Sequence, residues 1–170
     1  MKQLRYAGLL HDFGKVGVRE ATLAKEEKLP PVMGARVKGR FELIRLTLEA
    51  DAATAKTAAL QAKGIDGSAE DIAAIEEKLS DDLGTLARYS DAIKAANEPR
   101  VLDEEAAGIL EEIASKGFMA PDGVEQPYLT PDELHYLSIK RGNLDEAERK
   151  EIESHVVHSY DFLTNIPWTE

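Results

Sequence analysis

The chain has 170 residues, enough for one ordinary folded body with an appendage but short for two independent cores. A formal charge of -11 excludes the broad basic face of a general nucleic-acid binder, and the absence of cysteine excludes disulfides, thiolate metal ligands and a cysteine nucleophile. No apolar run approaches the roughly 20 residues needed to span a bilayer, so no membrane insertion is expected in this segment and a cytoplasmic location is the default.

Apolar spacing near 3.6 and the placing of glycine and proline predict an all-α chain. Leu4, Ala7, Leu9 and Leu10 predict a short opening helix that delivers His11 and Asp12 at its end, where Gly14 and Gly17 are expected to loosen the backbone. From Ala35 to Lys63, Phe41, Ile44, Leu48, Ala52, Ala55, Ala59 and Ala62 recur at three- and four-residue steps, a narrow alanine-rich seam. Gly64-Ile65-Asp66-Gly67 should stop that helix. Ser68 is then an expected N-cap, with Asp71 in a variant of the capping box, and Ile72, Ile75, Leu79, Leu83, Leu86 and Ile93 carry a second seam. Residues 35–96 therefore read as an antiparallel helical hairpin. Each arm, at 1.5 Å per residue, is on the order of 40 Å long and is expected to project and to find a partner, most simply a second copy.

A third helix is expected from near Asp103 to Gly117 through Ala106, Leu110 and Ile113. Pro121-Asp122-Gly123 is a turn signal that would let the flanking Phe118, Met119, Tyr128 and Leu129 form a small β-hairpin. Thr130-Pro131-Asp132-Glu133 combines an N-cap, a proline at the first helical position and a capping-box glutamate, and predicts a brief helix through Leu134 and Leu137. Asp145 with Glu148 repeats the capping pattern for a last helix, whose Ile152, Val156, Ser159 and Leu163 line one face beside His155 before the stop at Asn165-Ile166-Pro167-Trp168.

Histidine and aspartate are both ligands for divalent metals, and neighbours on one turn can reach a single ion or a pair. A bare His-Asp pair says little, so its surroundings carry the weight. The string Leu9-Leu10-His11-Asp12-Phe13-Gly14-Lys15-Val16-Gly17-Val18 resembles the signature of the HD superfamily of metal-dependent phosphohydrolases, in particular its HD-GYP branch, the cyclic di-GMP phosphodiesterases. A second match runs from Lys140-Arg141-Gly142-Asn143-Leu144-Asp145 through Glu148 to Ile152-Glu153-Ser154-His155, with Ser159 where the family often has glycine.

The resemblance covers residues 4–22 and 129–168. It implies a partial HD-type helical bundle spanning residues 1–170, with the 35–96 hairpin inserted in it. His11 would bind one metal, Asp12 would bridge two and help hold the attacking hydroxide, His155 would serve the second metal, and Lys15 would meet the substrate phosphate. Iron or manganese, or else magnesium, would be the ions; they stabilise both the attacking and leaving oxygens of an in-line displacement. Cyclic di-GMP would be the partner of the parent protein.

The family also has a histidine ligand before the His-Asp pair, and a His-His pair, a Gly-Tyr-Pro motif and a further Asp beyond the His155 helix. This sequence has none of these, so the resemblance implies a portion truncated at both ends and catalytically incomplete by itself. Two other readings stay open: a helical interaction module acting through the hairpin, and a phosphohydrolase of another nucleotide. The plainer readings of single residues are that His155 lies at the edge of a buried face and that Lys15 complements a helix dipole; His158 reads as solvated, and His135 has only its residue type to recommend it.

Overall fold

The computed structural model describes Leu10 and residues 12–166. Its elements in chain order are a 3-10 helix Phe13–Gly17, α1 Glu20–Leu23, α2 Pro31–Gly67, α3 Ala69–Asn97, α4 Glu104–Ala114, β1 Gly117–Met119, β2 Glu125–Pro127, α5 Pro131–Leu137, α6 Glu146–Glu153 and α7 His155–Thr164. The fold is all-α apart from one two-stranded antiparallel sheet, in which Phe118 faces Gln126. None of the described helices is long and apolar enough to cross a membrane. Of the opening helix expected from Leu4, all but Leu10 lies outside the described residues, as does the expected stop at Pro167-Trp168.

The hairpin forms as its two seams demand. Pro31 occupies the first turn of α2, where its missing N–H costs nothing, so the helix starts four residues before the expected Ala35. Lys56 meets Glu76 at 2.8 Å and Lys63 meets Asp71 at 2.7 Å, which sets the antiparallel register. Gly64, with φ at +71°, breaks the helical path at the tip. Ser68 does not cap α3 as expected. The connection is so tight that its hydroxyl, fully buried, donates back to the Gly64 and Ile65 carbonyls, and Asp71 is taken by Lys63.

Burial divides the hairpin. Val37, Phe41, Ile44 and Ala52 on α2 and Leu86, Tyr89, Ile93 and Ala96 on α3 are buried, whereas from Ala53 to Thr85 only Ser68 is. The outer half thus projects. The inner half packs with Leu110, Ile113, Phe118, Leu129 and Leu137 in one apolar cluster, each large side chain contributing about 1.5–3 kcal/mol on burial. Asp103 caps α4 and Thr130 with Glu133 forms a full capping box on α5, both as expected.

The last helix is in two pieces. Asp145 and Glu148 make the expected capping box on α6, but the path bends at Ser154, whose hydroxyl bonds the Glu151 carbonyl, and α7 begins at His155. The bend rotates the expected face: Ser159 is buried and Leu163 half-buried, but Val156 is 60% exposed. No residue of α6 or α7 joins the main apolar cluster. Those helices pack instead on the 3-10 helix and α1, as a small second layer beside the body.

Candidate functional site

Asp12 ends the approach to the 3-10 helix, its carbonyl accepting from the Lys15 N–H at 3.0 Å. The expected loosening by Gly14 and Gly17 does not occur. Neither has a positive φ, and both lie in a regular 3-10 turn. Gly14 is required for a different reason: a Cβ there would stand 1.9 Å from the His155 carbonyl oxygen and 2.6 Å from the Ser159 nitrogen. That close approach lets the Gly14 N–H donate to the buried Ser159 hydroxyl at 2.8 Å. Phe13 and Phe162 stack with ring centroids 4.0 Å apart and close the same junction.

The junction brings two of the sequence-predicted residues together from opposite ends of the chain. His155 Nε2 lies 3.9 Å from Asp12 Oδ1, while Lys15 Nζ pairs with Asp12 Oδ2 at 2.9 Å. His155 Nδ1 is hydrogen-bonded to the Ile152 carbonyl. A carbonyl only accepts, so Nδ1 donates in this bond and Nε2 is the ring nitrogen that stands nearer the carboxylate. A metal-ligating histidine is commonly held in this way, one ring nitrogen donating to a backbone carbonyl and the other free to coordinate.

His11 lies outside the described residues. Among the described residues no three His, Asp or Glu side chains gather around one point. Asp12 and His155 therefore fit a divalent ion in chemical kind but number two, below the four to six donors such ions take. His158 is exposed and flanks Gly17, and His135 is exposed 3.8 Å from Asp145, so neither joins the pair.

What holds the site layer is ionic and went unread in the sequence. Arg19 grips Glu151 with its guanidinium at 2.8 and 2.5 Å and with its backbone N–H at 3.1 Å, and Thr22 adds a fourth bond. The Arg19 side chain, followed by its backbone N–H, holds the Glu151 carboxyl down at about 2. One turn earlier on α6, Lys25 bonds both oxygens of Glu148 at 2.7 and 2.6 Å and lies over the Tyr136 ring. Glu148 is legible in sequence as a capping residue; its second role depends on a segment over a hundred positions away. Together the two pairs fix α6, and through it His155, against the segment that follows Asp12.

Family models, curated proteins and solved structures yield no match to this chain.

Proposed function

We propose that Asp12 and His155, with His11 next to Asp12 in sequence, form part of a divalent-metal site in a portion of an HD-GYP type phosphodiesterase acting on cyclic di-GMP. The observation that carries this reading is His155 Nε2 standing 3.9 Å from the Asp12 carboxylate while Nδ1 is tied to the Ile152 carbonyl, the way a metal-ligating histidine is commonly held. A divalent ion held there would supply Lewis acidity toward a phosphodiester. Lys15, already at the Asp12 carboxylate and exposed, is within reach of a phosphate that approaches the same place. With two described donors, the chain is read as catalytically incomplete in isolation; iron and manganese, then magnesium, are the ions to try.

The test is a calorimetric titration of the purified chain with Mn2+, repeated on Asp12→Asn and His155→Gln. The proposal expects a weak site that either variant abolishes. No uptake of Mn2+, or uptake indifferent to both substitutions, overturns it.

A second reading, an interaction module, is favoured by the outward face of α2. Leu46, Ala50, Ala53, Thr57 and Leu60 follow one another at alternating steps of four and three, and all are exposed on the arm that projects. Such a stripe suits an antiparallel helix from a second copy, whose backbone small residues allow to come close. Mass in solution should fall from dimer to monomer in a Leu46→Lys, Leu60→Lys variant; a wild-type chain that is monomeric at all concentrations removes this reading.

A further inference from the structure

The outward face of α2 has the core pattern of a two-helix coil. Leu46, Ala53 and Leu60 recur every seven residues, and Leu43, Ala50 and Thr57 recur every seven beside them. Leu43 is half-buried and the other five are exposed. Thr57 turns its hydroxyl back to the Ala53 carbonyl at 2.8 Å, which leaves its methyl for a neighbour. At 3.6 residues per turn this face lies opposite the one on which Val37, Phe41, Ile44 and Ala52 are buried.

The flank beside that face selects its occupant. Glu42, Glu49, Lys56 and Lys63 follow at seven-residue steps, so the order from the base of the arm to its tip is acid, acid, base, base. Turned end for end, this order is its own complement, as a two-fold interface requires, because there one patch meets itself. An antiparallel second copy sets Glu42 against Lys63 and Glu49 against Lys56, each pair twice. A shift of seven residues either way sets Glu49 against its own counterpart or Lys56 against its own, and like charges oppose that register. A parallel copy would set the same flank against Thr47, Thr54 and Gln61, which carry no charge.

These side chains have partners in their own chain: Lys56 with Glu76, Lys63 with Asp71, and both glutamates with Arg45. An ammonium has three donors and a carboxylate about four acceptor sites, so each has room for a second partner. The flank is also charge-balanced in a chain of net charge -11, so two copies meet there without the repulsion that an acidic face would impose.

We propose that two copies of this chain pair through α2, antiparallel and in this one register, with Leu43 against Leu60, Leu46 against Thr57 and Ala50 against Ala53 of the partner. The proposal rests on the self-association reading of the same stripe and adds to it the orientation and the charges that fix it.

The experiment is sedimentation equilibrium of the full chain beside Glu49→Lys, which turns two attractive pairs per dimer into repulsive ones, and beside Glu49→Lys, Lys56→Glu, which restores attraction in the same register. The single variant should raise the dimer dissociation constant about tenfold or more, since each exposed pair contributes up to about fivefold and two are lost. The double variant should bring it back toward wild type. Orientation is read from an equal mixture of Leu46→Cys and Thr57→Cys chains, which carry no other thiol. Air oxidation should join Leu46→Cys to Thr57→Cys. Disulfides that join like with like, a dissociation constant unmoved by Glu49→Lys, or a double variant no tighter than the single one overturn this arrangement and leave self-association standing. A wild-type chain that is monomeric at all concentrations removes both.

Discussion

The Gly14 N–H donates to the Ser159 hydroxyl at 2.8 Å across 145 residues of chain, and both groups are buried. This single bond marks the place where the N-terminal 3-10 helix and α7 touch backbone to backbone. Gly14→Ala would drive a methyl into the His155 carbonyl, a clash that no rotamer relieves. The expected loss is about 3 kcal/mol or more, at the upper end for overpacking, and chemical denaturation measures it. Ser159→Ala keeps the fit but strands the buried N–H, and should cost about 1–3 kcal/mol.

Arg40 and Glu133 form a buried ionic link between hairpin and body. The guanidinium bonds both carboxylate oxygens at 2.6 and 3.1 Å and reaches the Tyr128 carbonyl at 3.1 Å, and the two side chains are 14% and 4% exposed. Glu133→Gln leaves a buried guanidinium without its counter-charge. A loss of about 3 kcal/mol is expected from urea unfolding, since removing one partner of a buried pair costs far more than the pair itself stabilises. Replacing both residues by leucine should recover much of that loss.

Acid should weaken the attachment of α6. The Glu151 carboxyl sits at about 2 in the folded chain, below its ordinary 4.5, chiefly through the Arg19 side chain. A depressed carboxyl contributes stability that is full above about 4.5 and is lost as pH falls toward 2. Burial would raise Glu133, but Arg40 and the Thr130 backbone more than offset it, so its contribution also fades in acid. A Glu151→Gln variant should be less stable than wild type at neutral pH, and the gap should narrow when melting is followed from pH 5 down to pH 2.

Lys28 behaves in the opposite sense. It is 1% exposed, and its ammonium makes one long bond, 3.4 Å, to the Leu137 carbonyl at the end of α5. Burial pulls it below its ordinary 10.5. The charged form therefore costs stability at neutral pH, and the cost is relieved as pH rises through the folded value toward 10.5. Lys28→Met should be neutral or stabilising at pH 7. Its advantage over wild type should shrink in melts taken at pH 9 and 10, and an advantage that grows instead would contradict this account.

Several elements were legible because their causes are local. The capping boxes at Thr130 and Asp145 and the cap at Asp103 depend on side chains three residues apart, and the two seams of the hairpin depend on helical period alone. The misread positions are those where a distant neighbour competes. Ser68 was available to cap α3 but is taken by the α2 carbonyls, and Val156 shares a period with Ser159 yet is turned outward by the bend at Ser154.

The helical class and the hairpin around residues 35–96 follow from the order of amino acids alone, because composition and period are properties of neighbouring residues, whereas Asp12 and His155 were singled out by a resemblance to a known family. It took the folded arrangement to show that those two stand 3.9 Å apart, that Gly14 must be glycine, and that Glu148 and Glu151 bind Lys25 and Arg19. These are contacts between segments more than a hundred residues apart. Their existence depends on how the body folds the two ends together, which no local pattern records.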